Sequence, residues 1–369
     1  MQKNVNQPLS VALMIGTNIW TGAEQHVYNQ ACGLRDAGCS VVIIVRRNTV
    51  PYERFRNEFK TYALPFINAF DLITVAAIVW IIVKEKLNII HTHHNKVSWL
   101  AVFASLLFSR VRVLNTIHMV QWHGKSSRVR LWLYGRLAAI VCPSETVRRS
   151  FVHFNPLVGE KKVVTVYNGI DIDGLKNYTG IFLRDELGIA PETLLFGSVG
   201  RISPDKGTDI LLDAFALAQP LAASLVLVGA DEGEFGVEMR AKVATLGLTD
   251  KVFFYGATKD IAKIMNGIDV LVQPSRLRES FGQVLCEAMV CGKPVIATQN
   301  GAQSEIVTDG EAGFLVELNA DDIAERMLLL AQDRIMAQKM GVLAKVKVEE
   351  YFSIRAMCEK MVNLYRMVL

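Results

Sequence analysis

The chain has 369 residues, 51% of them apolar and 21% charged. That length exceeds one ordinary core and suits two globular domains of roughly 150–200 residues each. Its net charge of +4 hides an asymmetry: residues 1–173 carry 20 Lys and Arg against 10 Asp and Glu, and the remainder 20 against 26, so the first half suits an anionic partner. Six cysteines without a C-x-x-C pair speak against a disulfide framework or a thiolate metal site.

In chain order, residues 1–8 are polar and 9–16 too short for a secretory leader, so a cytoplasmic protein is expected and 11–16 reads as a first strand. A helix at 24–37, a strand at 40–46, a helix at 71–86, a strand at 88–92, a helix at 97–108 and a strand at 111–117 follow, with strands at 137–142 and 162–166 closing the half. The apolar run 72–83 is well short of the ~20 residues that cross a bilayer and reads as a buried helix. The turn Asn168-Gly169 marks a domain junction, and Asp171-Ile172-Asp173, despite its D-x-D spacing, reads as linker. The alternation then restarts, with strands at 194–199, 224–228, 252–255, 269–272 and 294–297 and helices within 207–218, 234–246 and 282–290. Strands separated by helices imply two doubly wound parallel sheets whose ligands sit beyond the strands' carboxyl ends, which places Gly16, His91, His93 and His118 near one crevice. The last stretch, 353–369, is an amphipathic helix able to cross back to the first domain. The expected division is 1–170, 171–350 and a returning helix within 351–369.

The most informative run is 269–307, which holds Glu279 and Glu287 with Ser280-Phe281-Gly282 after the first. Read as helical, eight residues span at most ~12 Å and leave the two side chains within roughly 80° of each other. Both acids would then line one side of a helix whose N-terminal amides seat a phosphate. A ligand with two hydroxylated ends and an anionic middle fits that layout. After the strand at 194–199 comes Gly200-Arg201-Ile202-Ser203-Pro204-Asp205-Lys206-Gly207, an Arg fork and a Lys point charge suited to a diphosphate. The first turn, GTNIWTGAEQ, lacks the G-x-G-x-x-G of a nicotinamide site. His91 and His93 share a strand face near His94, His118 and His123, but no carboxylate or thiol completes a zinc set. On a helical wheel over 125–140, Lys125, Arg128, Trp132 and Arg136 share one face and Val129, Leu133 and Leu137 the inward one. With Arg110, Arg112, Arg148 and Arg149, that stripe suits an anionic membrane surface better than nucleic acid, for which aromatic interleaving is sparse.

Gly200-Arg201 with Lys206-Gly207, Leu227-Val228-Gly229, Pro274-Ser275, Glu279-Ser280-Phe281-Gly282, Glu287-Ala288-Met289 and Gly292-Lys293-Pro294-Val295-Ile296-Ala297 together resemble the retaining nucleotide-sugar glycosyltransferases of family 4, with the GT-B fold. Thr21-Gly22-Ala23-Glu24 and Val166–Asp171 resemble that family's first-domain loop and interdomain segment more loosely. The resemblance implies two Rossmann-like domains facing across a cleft. It implies that Arg201 and Lys206 hold the donor diphosphate as a leaving group, with no metal cofactor. Glu287 would bind the ribose, Glu279 would lie against the donor sugar, and the Ser280, Phe281 and Gly282 amides would sit near sugar and phosphate. His118 would reach the reaction centre, while Gly16 and Gly22 would let the first-domain backbone approach the diphosphate. Thr21 departs from the family's usual glycine, and its Cβ narrows the loop's conformations.

The function so implied is transfer of a sugar, with retention, from a UDP- or GDP-sugar to a hydroxyl of a lipid-linked or cell-surface glycan at the inner face of the membrane. The alternatives are an epimerase or phosphorylase of the same fold, and a non-catalytic donor-binding subunit of a glycan assembly complex.

Overall fold

The computed structural model describes residues 8–68, 71–123, 127–176, 181–218, 222–231 and 233–369. The chain divides into two compact units, one formed by the residues up to Gly169 together with Ile354–Leu369, the other by Ile170–Ser353.

The first unit is built on seven parallel strands: β1 (Ser10–Ile15), β2 (Ser40–Arg46), β3 (Lys60–Leu64), β4 (Ile89–Thr92), β5 (Arg112–Thr116), β6 (Ala139–Cys142) and β7 (Val163–Thr165), in the order β3-β2-β1-β4-β5-β6-β7. β1 and β4 are buried at every position, as strands covered by helices on both faces must be. They pair in register from Val11 against Ile89, and between them the strand order reverses, opening a crevice at their carboxyl ends. The returning helix Ile354–Val368 buries Met357, Cys358, Met361 and Tyr365 against helix Gly22–Asp36. The approach is close at Gly33, where a Cβ would lie 2.4 Å from Cys358 Sγ.

The second unit repeats the plan with six strands: β8 (Leu194–Val199), β9 (Ala223–Val228), β10 (Val252–Gly256), β11 (Val270–Gln273), β12 (Val295–Thr298) and β13 (Gly313–Val316), ordered β10-β9-β8-β11-β12-β13. Its reversal lies between β8 and β11, which pair in parallel from Phe196 against Val270.

Several expectations need correction. The helix Leu72–Lys84 is not buried: Ile78, Ile81 and Ile82 face the core, but Leu72 is 79% and Trp80 53% exposed. At 13 residues it is about 20 Å long, and among the described residues no helix is long and apolar enough to cross a membrane. The helix expected over 125–140 runs only from Arg128 to Arg136, because β6 claims the residues from Ala139. Leu133 and Leu137 point inward, whereas Val129 in its first turn is 60% exposed. All six cysteines are free thiols.

Candidate functional site

In the second unit four loops meet at the carboxyl ends of β8, β9, β11 and β12. The loop after β8 turns at Gly207, which adopts φ +70°, and a Cβ there would lie 2.0 Å from the Pro274 carbonyl oxygen. Only glycine satisfies both demands, and the contact brings Lys206 against the loop after β11. There Lys206 Nζ donates to Glu279 Oε1 at 2.6 Å, and the buried Ser275 hydroxyl donates to the same oxygen at 2.9 Å. Arg201 is more exposed and donates to Asp205 at 2.9 Å. Both cations of the expected clamp are thus held on carboxylates of the unit itself.

The loop after β11 is tightly pinned. Arg276 makes two parallel bonds of 2.7 Å to the Asp209 carboxylate and one of 2.6 Å to the Pro204 carbonyl. Thr298 Oγ1 donates to the Ser275 carbonyl, and the Ala302 amide to the Glu279 carbonyl, both at 2.9 Å. Gly301 (φ +94°) makes that clasp possible, since a Cβ would lie 2.5 Å from the Glu279 nitrogen.

Glu279 does not stand at the mouth of a helix. The helix runs from Gln283 to Val290 behind Gly282, whose φ is +98°, so Glu279 is a loop residue and Glu287 lies just over one turn into the helix. Their relation is set by the clasp with Gly301, not by eight helical steps. The half-buried Glu287 carboxyl is pushed up to about 7 by burial, partly offset by the Gln283 amide that donates to it at 2.8 Å. Phe281 is buried and packs edge-on against Phe352 at 5.8 Å; its ring is structural here. Sequence reading missed Asp205, Asp209, Arg276 and Gly301. Gly301 had a signal, a Gly-Ala turn shortly beyond the end of the buried β12, but the others depend on which loops fold together.

In the first unit Gly16 follows β1, and a Cβ there would meet Val97 Cγ1 at 2.6 Å, so its smallness serves packing against the helix Asn95–Ser105. Gly22 opens the helix Gly22–Asp36 and is exposed. Thr21 caps that helix with φ −128°, extended backbone open to any residue, so its Cβ imposes no strain. Its amide donates to Glu24 at 2.9 Å and Thr17 Oγ1 donates to the same side chain at 2.6 Å. Burial alone would raise the Glu24 carboxyl. The His94 ring 3.5 Å away and the Thr17 and Thr21 donors outweigh burial and bring it down to about 2.

Beyond Glu24 lies a stack of imidazoles. His91 lies 4.7 Å from His93, and His93 5.4 Å from His118, ring centre to ring centre, with planes 23° and 28° apart. His93 Nδ1 is 3.2 Å from His118 Nε2. His26, missed in the sequence, meets His93 and His118 edge-on at 5.8 and 5.5 Å. His91 is held by the Tyr365 hydroxyl at 2.7 Å and Thr116 Oγ1 at 2.7 Å. Burial drives His26 and His91 down to about 3 and holds His93 and His118 well below the usual imidazole range, with neighbouring imidazoles adding to the effect. The array is neutral at physiological pH. Among the described residues no group of three or more His, Cys, Asp or Glu is placed to hold a metal ion.

On the helix Arg128–Arg136, Arg128 and Arg136 are exposed and Trp132 is 38% exposed, with the Arg136 guanidinium 5.3 Å from its ring; Lys125 lies outside the described residues. Three further basic residues serve the fold. Arg148 bonds Glu145 and Glu160, Arg149 bonds Glu145, and Arg112 donates to the Val368 carbonyl at 3.0 Å. Asp171 Oδ1 accepts from the Gly174 amide at 3.1 Å, bracing the short helix Ile172–Lys176.

Two family models match successive parts of the chain: Glycosyltransferase Family 4 over residues 20–173 and Glycosyl transferases group 1 over residues 181–346. The chain is 27% identical over 323 residues to an N-acetyl-alpha-D-glucosaminyl L-malate synthase of Bacillus anthracis, covering 85% of this chain and 81% of the relative. It is 35% identical over 147 residues to the lipopolysaccharide core biosynthesis mannosyltransferase LpsB of Rhizobium meliloti, covering 38% and 41%. Among solved structures it is similar to Anabaena HepE in complex with UDP and glucose, with a TM-score of 0.82, 23% identity and coverage of 96% and 98%.

Proposed function

We propose a specific reaction for this chain, which belongs to glycosyltransferase family 4: transfer of a hexosyl-type sugar from a UDP- or GDP-sugar, with retention, to a hydroxyl of a lipid-linked or surface glycan such as a lipopolysaccharide or exopolysaccharide precursor. The observation that carries this reading is the Lys206–Glu279 pair, 2.6 Å apart and joining the loops after β8 and β11. A diphosphate arriving there exchanges one carboxylate for several phosphate oxygens at Lys206, with Arg201 as the second cation. Charge-assisted bonds to phosphate then stabilise the group that departs. Glu279, released from Lys206, is free to accept from donor-sugar hydroxyls, and Glu287 from the ribose.

In the reaction the bond from the anomeric carbon to the diphosphate breaks and the acceptor oxygen bonds to that carbon on the same face. The acceptor proton passes to the leaving phosphate. His118 takes part as a neutral hydrogen-bonding group. The positive charge comes from Arg201 and Lys206, so no metal is required. Turnover unaffected by a chelator, with the product's anomeric configuration matching the donor's by NMR, supports this scheme. Loss of turnover on chelation that magnesium restores, or an inverted product, contradicts it.

The acceptor is presented at the inner face of the cell membrane, with the exposed Arg128, Trp132 and Arg136 as peripheral contact. Salt-sensitive flotation with anionic vesicles that the double variant Arg128→Glu and Arg136→Glu abolishes supports that contact; flotation unchanged by the variant rules this helix out.

A further inference from the structure

We propose that the cleft between the helices Asn95–Ser105 and Arg128–Arg136 binds a sugar ring carrying a phosphate group, the acceptor end of the reaction proposed above. Calling the ligand an acceptor rests on that reaction; the cleft's chemistry does not. Asn95, Lys96, Trp99, Arg130, Leu133 and Tyr134 line a volume of about 160 Å³, and a cavity of about 150 Å³ accepts a single six-membered ring.

The wall is aromatic and rigid. Trp99 stacks on Trp132 with ring centres 6.0 Å apart and planes 6° apart, and Phe103 lies 5.9 Å from it. Tyr134 and Leu133 are buried, and Tyr134 is fixed edge-on to Phe151 at 5.4 Å. A wall so fixed loses little side-chain freedom when a ligand lies against it.

The polar lining points to an anion. It holds two cations and no carboxylate. Among the described residues neither Lys96 nor Arg130 has an ion-pair partner, so the cleft's two cations face it without a carboxylate of the chain to neutralise them. Two unneutralised cations in a concave, largely apolar cleft attract a phosphate. The place also fits: Asn95 and Lys96 open the helix that follows β4, at the carboxyl edge beside the strand-order reversal. The Asn115 amide at the end of β5 donates to Asn95 Oδ1 at 3.0 Å and holds that edge in place. A pyranose, with an apolar C–H face and a hydroxylated rim, satisfies both aromatic wall and polar rim. An alkyl chain would leave Asn95 and both cations against hydrocarbon.

The test is calorimetric titration of the full chain, with UDP present to fill the donor site, using glucose 1-phosphate, N-acetylglucosamine 1-phosphate, glucose, inorganic phosphate and farnesyl phosphate as separate probes. Saturable binding of at least one glycosyl phosphate is expected, tighter than inorganic phosphate or glucose. Lys96→Glu and Arg130→Glu should each weaken it by about tenfold, the scale of one charge-assisted bond. Lys96 is exposed, so its variant should melt with the wild type and carries the test even if Trp99→Ala fails to fold. Absence of glycosyl phosphate binding, or binding untouched by Lys96→Glu, overturns the proposal. Inorganic phosphate binding equally well makes the cleft a plain anion site and overturns the sugar. Farnesyl phosphate binding alone replaces sugar with lipid. Failure of the wild type to bind UDP would count against the transferase reaction and leave the cleft's ligand to be judged on the Lys96→Glu comparison.

Discussion

The two units hold their candidate site residues in opposite ways. The second presents charge: Lys206 on Glu279 and Arg201 on Asp205, partly exposed and each paired with a carboxylate. The first presents neutral rings: His91, His93 and His118 in a stack with His26 beside them, kept uncharged by burial. Ion pairs with that much solvent access contribute only about 0–1 kcal/mol and so give way to a ligand of higher charge. A neutral array cannot compete for the diphosphate, but it presents fixed hydrogen-bonding groups that need no reorganisation. One unit is built to exchange its partner, the other to keep its geometry.

The largest expected effect tests that exchange. Lys206→Ala and Glu279→Ala should each reduce kcat by about 10³-fold, the scale of losing a group aimed at developing charge, while unfolding free energy changes by no more than about 1 kcal/mol. Denaturation and steady-state kinetics on the same preparations separate the two. A large stability loss with kinetics preserved would make the pair structural and erase the contrast.

The next effect is on pH dependence, where two glutamates act in opposite senses. Glu287 is raised to about 7 in the folded protein, so the native state binds a proton that the unfolded chain has lost. Its unit should lose stability as pH rises from about 4.5 to 7, by about 3 kcal/mol, and then level off. Glu287→Gln should flatten that slope and raise stability at pH 8 while weakening donor binding. Glu24 is lowered to about 2, so its contribution is complete above about 4.5 and is lost as pH falls toward 2. Glu24→Gln should flatten that acid limb at a cost of about 3 kcal/mol at neutral pH. Melting curves across pH 3–8 check both; parallel slopes in the two variants would contradict the assignment.

The smallest effect concerns His93. Replacing it with Phe keeps the ring between His91 and His118 but removes Nδ1, and should lower kcat by about fivefold, one hydrogen bond of ~1 kcal/mol, with KM little changed. His93→Asn, which restores a polar atom near that nitrogen, should recover most of the loss. Activity kept by Phe and lost by Asn would mean that the ring's shape, not its hydrogen bond, matters.

Much of this was legible in the sequence for physical reasons. Strands buried on both faces read as unbroken apolar runs, so β2 and β8 are found at their full extent. β3 is missed because it is a short edge strand with mixed burial, and β13 because its four residues follow a glycine turn. Residues next to strand ends, such as Lys206 and His118, were named from local pattern. Contacts that depend on which distant loops and helices meet were not: Asp209 meets Arg276 across 67 residues, and His26 joins His93 only because one helix packs over the end of β4. Sequence spacing also misassigned Glu279 to a helical face: the helix begins behind the left-handed Gly282, close to the expected start, and Glu279 stays in the loop before it. Val129, one turn before the inward Leu133, was expected inward with it but lies exposed in the first turn of the helix.

The central claim is that Lys206 leaves Glu279 to hold a nucleotide-sugar. Its most direct test is the thermal shift of wild type and Lys206→Ala with a series of UDP- and GDP-sugars. At least one donor should raise the wild-type melting temperature in proportion to RT ln(1 + [L]/Kd), and Lys206→Ala, with an unchanged melting temperature in the absence of ligand, should lose most of that shift. An equal shift in the variant, or no shift with any nucleotide-sugar, would contradict it.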